Sequence, residues 1–230
     1  MRRLLFPLLL ACCGLGADVR LSGLQTMSPA LQAMQRDDAS NPAMLWVQAG
    51  REIWAQRCAG CHQESKLGGL AARYPAFDTK TGRPVTLEAR IQSHQELPVD
   101  DLLAVTAFIA LQSRGMAITS PDDPRLAPFL LQGERLFKRR MGQLNLSCAQ
   151  CHDERAGLSL GGGTIPQGHP TGYPLYRLEW QTLGNLERRL NNCVTGVRAA
   201  PLSGEELVAL ELYLKQRAAG MPMDAPAVRP

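Results

Sequence analysis

The sequence lacks the two features that would place a protein in the membrane or on nucleic acid. No apolar segment approaches the roughly 20 residues that a membrane-spanning helix needs. The formal net charge is only +4, and the basic residues form no block beyond Lys138-Arg139-Arg140. Such a mild positive charge does not indicate nucleic-acid binding. The 230 residues, 45% hydrophobic and 20% charged, allow one large globular domain or two of about 100 residues each.

The N-terminus resembles an export signal. Two arginines precede an apolar stretch from Leu4 to Ala11, and small residues follow up to Ala17. This pattern predicts a signal peptide over residues 1–17 and a soluble mature protein outside the cytoplasm. The letters LLAC at residues 9–12 also resemble a bacterial lipoprotein cleavage site, so lipidation of Cys12 is the alternative to cleavage near Ala17.

Of the seven cysteines, Cys12 and Cys13 lie in the predicted signal peptide. Four of the other five lie in two copies of the pattern C-x-x-C-H. The copies are Cys58–His62 and Cys148–His152. Two thiols at this spacing attach covalently to one haem, and the adjacent histidine ligates its iron. A redox-active dithiol or a zinc ribbon is the alternative. A zinc ribbon, however, is expected to have closely spaced pairs, and it does not require a histidine after each pair. The pattern therefore predicts a c-type cytochrome with two haem c groups, attached through Cys58, Cys61, Cys148 and Cys151 and ligated by His62 and His152.

The chain is an internal repeat of one helical unit. Aligning Tyr74-Pro75 with Tyr173-Pro174 without a gap pairs Arg90 with Arg189 and His94 with Cys193, and the segments 102–116 and 207–221 share an apolar helical period. This predicts a mainly α fold with two tandem cytochrome c-like domains, over residues 18–120 and 121–230. The proline-containing segment 112–130 is the predicted linker.

The repeat also indicates the sixth ligands of the irons. Histidine is scarce: besides the two motifs, the chain has only His94 and His169. The equivalence of positions 94 and 193 predicts that His94 ligates the first haem and Cys193 the second. Met116 and Met221 are also equivalent, so methionine ligation is the main alternative.

A thiolate on iron favours the ferric state, which makes the second haem a poor electron acceptor and indicates a chemical role for it. Arg189 lies four residues before Cys193 on the same helical face, and Arg198 lies five residues after it. Guanidinium groups bind oxyanions and favour a thiolate, although either arginine could instead pair with a haem propionate.

At this level the chain resembles the SoxA family, the dihaem subunits of the SoxAX cytochromes of bacterial thiosulfate oxidation. The resembling stretches include residues 67–78 (LGGLAARYPAFD), 145–153 (NLSCAQCHD), 167–184 (QGHPTGYPLYRLEWQTLG) and 186–201 (LERRLNNCVTGVRAAP). Together they extend from about Asn41 to Pro230. Many dihaem members of the family have cysteine where this chain has His94, which is expected to raise the potential of the first haem relative to a thiolate.

The resemblance implies a periplasmic L-cysteine S-thiosulfotransferase. Cys193 would be the catalytic residue, modified to a persulfide, as well as a haem ligand, and Arg189 would bind thiosulfate. The reaction would join thiosulfate to a cysteine of the SoxYZ carrier protein. The two electrons would leave through a SoxX subunit, bound as a heterodimer, and a downstream cytochrome c. A dihaem electron carrier without its own chemistry and a dihaem peroxidase are the alternative functions; a fixed thiolate ligand argues against the peroxidase.

Overall fold

The computed structural model describes residues 19–119 and 122–230. The predicted signal peptide and Cys12 lie outside the described residues. Among those described, no helix combines the length and the apolar character that crossing a membrane requires. The α-helices are α1 Pro29–Arg36, α2 Ala43–Arg57, α3 Leu87–Gln92, α4 Val99–Leu111, α5 Ala127–Lys138, α6 Cys148–His152, α7 Leu186–Gly196 and α8 Gly204–Arg217.

Short 3-10 helices and strands complete the fold, which is mainly helical as predicted. The 3-10 helices are Glu64–Lys66, Ala71–Arg73 and Pro124–Leu126. The strands are β1 Ala76–Asp78, β2 Arg83–Val85, β3 Ser159–Leu160, β4 Gly163–Thr164, β5 Leu175–Arg177, β6 Thr182–Gly184 and β7 Ala227–Arg229. β1 and β2 form one antiparallel pair and β3 and β4 another, while β5 lies between antiparallel β6 and parallel β7. Because α5 begins at Ala127, the linker is shorter than the predicted 112–130.

The two units repeat the same helix crossing. α2 packs on α4 in the first unit, and α5 packs on α8 in the second. Each crossing places a glycine against a carbonyl of the partner helix: Gly50 against Ala104 and Gly133 against Ala209. A tilted aromatic pair follows one turn later in each unit. The pairs are Trp54–Phe108, with ring centroids 5.7 Å apart, and Phe137–Tyr213, with centroids 5.5 Å apart. The internal repeat is therefore a repeat of tertiary packing.

The second unit has an additional loop before its C-x-x-C-H motif. α2 runs directly into Cys58, whereas residues 139–147 separate α5 from Cys148. This loop packs on the C-terminal end of α7: the amides of Gln143 and Leu144 donate to the carbonyls of Arg198 and Val197, at 3.2 and 3.3 Å. The loop therefore braces the helix that carries Cys193.

The segment 19–41 packs on the second unit, although it precedes the first in sequence. The side chain of Arg20 donates to the carbonyl of Ala219 at 2.8 Å, and Asn41 donates to the carbonyl of Pro226 at 3.2 Å. Helix α1 contacts β7. The segments that follow α4 and α8 also pair, through an isolated bridge between Ala117 and Pro222. The N-terminal segment and this bridge therefore join the two units.

A cluster of ionisable side chains lies between the units. Glu88, Glu211 and Lys215 line a cavity of about 30 Å³, together with Tyr74 and Tyr173. Burial lowers the pKa of Lys215. Burial and the neighbouring Glu88 raise the pKa of Glu211 to about 8. Because one lysine faces two carboxyl groups, only one carboxylate is compensated, and the other is stabilised in its protonated form.

We expect Glu211 to make the protein less stable as the pH rises from 5 to 8. Its folded pKa lies above the value of about 4.3 in unfolded chains. The native state therefore binds more protons in this interval, and the free energy of unfolding falls with rising pH. In Glu211→Gln this fall should be smaller by ~3 kcal/mol, measured by chemical denaturation of the holoprotein at both pH values. The exposed Glu205→Gln in the same helix should keep the wild-type dependence, and an unchanged dependence in Glu211→Gln would contradict the assignment.

Candidate functional site

The first C-x-x-C-H motif faces the histidine predicted as its distal partner. Cys58–His62 forms a turn directly after α2, and His94 follows the end of α3. The imidazole rings of His62 and His94 lie edge to face, with centroids 6.5 Å apart and an interplanar angle of 79°. Two metal–nitrogen bonds of about 2 Å each, together with half the width of each ring, span a gap of this size. The spacing of the two rings therefore fits one iron between them, and ligation by His94 stays a prediction.

The backbone orients His94 for this role. Its Nδ1 lies 2.8 Å from the carbonyl oxygen of Arg90 and donates a hydrogen bond to it. This contact assigns the Nδ1–H tautomer and leaves Nε2 as the electron-pair donor, as in most histidine ligands of metals. The guanidinium of Arg90 in turn pairs with Asp78 at 3.0 Å, which anchors the short helix to β1.

Removing His94 should change the spin state of the first haem alone. In His94→Ala the first haem should become high-spin or take an exogenous ligand, because the sixth protein ligand is lost. The second haem should keep its low-spin absorption spectrum. His169→Ala is the control for loss of a histidine elsewhere: it should leave the first haem low-spin, because His169 lies in the second unit and binds the carbonyl of Leu21. Two unchanged low-spin spectra in His94→Ala would rule out the assignment.

The second motif forms a capped helix, α6. Ser147 and Gln150 make a reciprocal capping box, which fixes the start of the helix at Cys148. The Nδ1 of His152 donates to the carbonyl oxygen of Pro166 at 2.7 Å, which again leaves Nε2 as the ligand atom. Burial lowers the pKa of His152, and the charges of Arg189 and Arg217 lower it further. His152 is therefore neutral at physiological pH and suited to bind a metal.

Cys193 lies beside this motif. It is half-buried on α7, one helical turn after Arg189. Burial and the nearby charge of Cys193 raise the pKa of Cys148 to about 11. Burial raises the pKa of Tyr173 to about 12, with Cys193 contributing in the same direction and the positive charge of Arg189 opposing it. The structure thus brings together a free thiol, an arginine, a partly buried phenol and the second motif.

Met221, the alternative ligand of the second haem, lies elsewhere. Met221 is buried in the core that contains Val105 and Phe108. The side chain of Met116 is about half exposed and rests near Gly69. Met221 therefore serves packing, and the thiol of Cys193 is the sulfur that lies beside the second motif. Arg198 lies beyond the end of α7, exposed and in the left-handed backbone region at φ 56°.

The residues present fit covalent haem at both motifs. All five cysteines of the described chain are unpaired thiols. The Nε atom of Arg217, whose guanidinium also contacts Asp153 beside the second motif, is buried without a hydrogen-bond partner among the described residues, and guanidinium groups are suited to carboxylates such as haem propionates. In the same ranges, no group of three or more His, Cys, Asp or Glu side chains is placed to hold a metal ion. The two C-x-x-C pairs therefore form no four-ligand zinc site.

Several residues of the site were not identified from the sequence. Pro166 accepts from His152, Gly168 packs against its ring, and Tyr173 borders Cys193. The repeat had already singled out Tyr173, though only as an alignment marker. Arg217 gave no local signal because it joins the site from the last turn of α8.

The chain is similar to a group of known cytochromes over nearly all its length. A family model described as the SoxA/TsdA cytochrome c domain matches residues 43–118 and 132–223. The SoxA subunits of L-cysteine S-thiosulfotransferase from Paracoccus pantotrophus and Allochromatium vinosum are 31% and 33% identical to it. These alignments cover 92% and 80% of this chain, and 80% and 72% of the respective relatives.

A solved structure has the same fold. A chain of the crystal structure of SoxXA from P. pantotrophus superposes on this protein with a TM-score of 0.86 at 30% identity. The match covers 92% of this chain and 87% of that one. The two described units therefore have the fold of a SoxXA chain.

Proposed function

Because this chain belongs to the SoxA/TsdA cytochrome c family, as a SoxA-type subunit of an L-cysteine S-thiosulfotransferase, we propose that Cys193 is its reacting residue. The chain is a c-type cytochrome, and the two motifs support two haem c groups per chain. Cys58, Cys61 and His62 with His94 would hold the first haem; Cys148, Cys151 and His152 with Cys193 would hold the second. The observation that carries the proposal is the free Cys193 thiol beside the second motif and one turn from Arg189.

The proposed reaction joins thiosulfate to a cysteine of a carrier protein of the SoxYZ type. The S–H bond of the carrier cysteine breaks, and a new S–S bond forms to the outer sulfur of thiosulfate. One proton and two electrons are released, which balances the product, a cysteine S-thiosulfonate. The bound haems supply the one-electron acceptance that this oxidation needs.

The residues around Cys193 would bind and transfer the thiosulfate group. Arg189 carries a positive charge into the site and can bind the sulfonate end through charge-assisted hydrogen bonds. A bond between the Cys193 sulfur and the outer sulfur of thiosulfate would form with loss of the two electrons. The carrier thiolate would then attack that outer sulfur and release the Cys193 thiolate, an exchange of the thiol–disulfide type that needs no further oxidant. Because Cys193 is not fully buried, a small anion or an extended peptide arm would have access to this residue.

The partners follow from the same proposal. A SoxX-type cytochrome subunit would bind as a heterodimer, because the matching crystal structure is one of SoxXA. It would pass the electrons to a further c-type cytochrome. The protein would be exported to the periplasm, because C-x-x-C-H motifs receive haem outside the cytoplasm. The sequence pattern of residues 1–17 agrees with export.

Conjugation to the carrier tests the function directly. The holocomplex, incubated with thiosulfate, a SoxYZ carrier and oxidised cytochrome c, should increase the carrier's mass by one thiosulfate for every two cytochromes reduced. If the cytochrome is reduced but the mass of the SoxYZ carrier does not change, the chain is a dihaem electron-transfer protein without its own chemistry. Reduction that needs neither thiosulfate nor carrier would likewise indicate an electron carrier alone.

Arg189→Ala should depress turnover with thiosulfate and leave both haem spectra near wild type. Loss of a hydrogen bond to a charged group costs about 1.5–3 kcal/mol, which corresponds to about 10–100-fold in kcat/KM. Arg188→Ala is the matched control, because Arg188 stacks 4.2 Å from the ring of Trp180. Steady-state kinetics equal in the two variants would remove Arg189 from the substrate site.

A further inference from the structure

The orientation of His152 depends on the loop that follows its motif. His152 donates through Nδ1 to the carbonyl oxygen of Pro166, at 2.7 Å. Gly168, at φ +73°, lies so close that a Cβ atom there would be 3.3 Å from Cγ of the imidazole. The loop therefore both receives the proton of His152 and packs against its ring. A shift of the loop would therefore change how strongly the imidazole donates electrons to a metal and how its ring is oriented.

Arg217 holds this loop to the motif. Its Nη2 donates to Asp153 Oδ1, directly after His152, at 2.5 Å and to the carbonyl oxygen of Gln167, directly after Pro166, at 3.4 Å. Its guanidinium carbon lies 4.5 Å from the centre of the Phe137 ring. The side chain is only 21% exposed. One planar fork thus joins α8, α5, the motif and the acceptor loop.

The N-terminal segment holds the same loop from the opposite side. The amide of Leu21 donates to the side-chain oxygen of Gln167 at 2.6 Å, and the ring of His169 donates to the carbonyl of Leu21 at 2.9 Å. Arg20 donates to the backbone carbonyl of Arg217 at 3.2 Å. The loop is therefore fixed between Arg217 and the segment that precedes α1.

The first unit holds its equivalent side chain differently. The residue equivalent to Arg217 in the repeat is Gln112, whose side chain donates to the carbonyl of Phe108 within its own helix. The two proximal histidines are therefore supported differently, and the additional support belongs to the unit that carries Cys193.

We propose that Arg217 is a positioning residue of the second haem site, which holds the loop 166–168 so that His152 keeps its hydrogen bond to Pro166. The proposal rests on the proposed function only in placing a haem at His152. A donated Nδ1 proton makes imidazole a stronger electron donor and stabilises the ferric state. Arg217 thus lowers the potential of the second haem through His152, although its own positive charge would raise it.

These opposite signs give a sharp test. In Arg217→Gln the loss of loop support should increase the ferrous fraction of the second haem at a fixed ambient potential. The ratio of ferrous to ferric haem should rise about tenfold, the lower end of what loss of an outer-shell partner costs a metal site. Arg155→Gln is the matched control: it removes the same charge near the same motif, but Arg155 binds the carbonyl of Gln150 and not the loop. The control should shift the ratio slightly in the opposite direction.

Spectroscopy distinguishes positioning from a merely structural role. The EPR signal of the second haem should change in Arg217→Gln and persist in Arg155→Gln, while the signal of the first haem stays constant in both. Arg217→Lys keeps the charge without the planar fork and should fall between the wild type and Arg217→Gln. Gln167→Ala, which removes the side chain bound by Leu21, gives a second route to a loosened loop.

Two outcomes would overturn the proposal. One is that Arg217→Gln shifts the second haem in the same direction as Arg155→Gln, which would leave only a charge effect. The other is a lower melting temperature with an unchanged potential and EPR signal. Since these readouts need no thiosulfate or carrier, they stand or fall independently of the conjugation assay.

Discussion

We expect Cys193→Ser to abolish conjugation of thiosulfate to the carrier, with kcat/KM reduced by at least ~10³-fold, because the proposed reacting sulfur is lost and no other described thiol is free to replace it once the motif cysteines are bound. The protein should still fold and carry both haems, since Cys193 is only half-buried and lies outside the attachment motifs. The second haem should lose the EPR signature of sulfur ligation, because a serine hydroxyl is a poor ligand of ferric haem. The first haem should be unaffected.

Intact mass gives a second readout of the same variant. The mature wild-type protein should carry two haems and one extra sulfur atom on Cys193, and the extra sulfur should be absent from Cys193→Ser. Asn192→Ser, at the neighbouring exposed position of α7, is the matched control and should keep activity, spectrum and mass. A Cys193→Ser variant with normal turnover, or a wild-type EPR spectrum of nitrogen or thioether ligation at the second haem, would end the enzymatic interpretation.

Gly133→Ala should cause a large loss of stability, because the added methyl group has no room at the crossing of α5 and α8. A Cβ atom at Gly133 would overlap the carbonyl of Ala209 and would lie 2.7 Å from Cβ of Tyr213. Because these are backbone atoms and the start of a side chain, α5 and α8 must separate. Overpacking of this kind costs about 1–3 kcal/mol and occasionally more. We expect ~3 kcal/mol in denaturant unfolding of the holoprotein, with a lower melting temperature.

The equivalent glycine and a nearby control sharpen this prediction. Gly50→Ala should be similarly costly, because its Cβ would overlap the carbonyl of Ala104 and approach the amide of Val105. Gly204→Ala, at the first turn of α8, meets no atom within 4 Å and should be neutral or stabilising by up to about 1 kcal/mol. Equal stability of the Gly133 and Gly204 variants would show that the helices separate without cost.

Much of the fold could be predicted because the repeat is visible in the sequence. The apolar period predicted helices at 102–116 and 207–221, and α4 and α8 overlap these two segments. The boundaries were less accurate. Proline residues at 121, 124 and 128 indicated a linker, but proline is well tolerated in the first turn of a helix, and α5 begins at Ala127. The packing of residues 19–41 on the second unit gave no periodic signal at all.

The site was predictable to the extent that its chemistry is local. C-x-x-C-H places two thiols and a ligand within five residues, so attachment needs no tertiary information. The unit alignment added His94, and the structure places its ring 6.5 Å from that of His62. Ligation by His94 and by Cys193, and the role of Arg189, stay predictions. The proximity of Cys193 to Arg189 followed from helical periodicity alone.

The amino-acid sequence by itself determined the chemistry of haem attachment, the repeat of two helical units and the presence of one cysteine, Cys193, outside both motifs. Each of these depends only on local spacing and residue type. Only the tertiary structure decided what surrounds that thiol and what holds His152. The reason is separation along the chain: Arg217 meets Gln167 across 50 residues and Arg20 meets Arg217 across 197. No local propensity or spacing encodes such contacts; they form when the helix crossings at Gly50 and Gly133 bring the distant segments together.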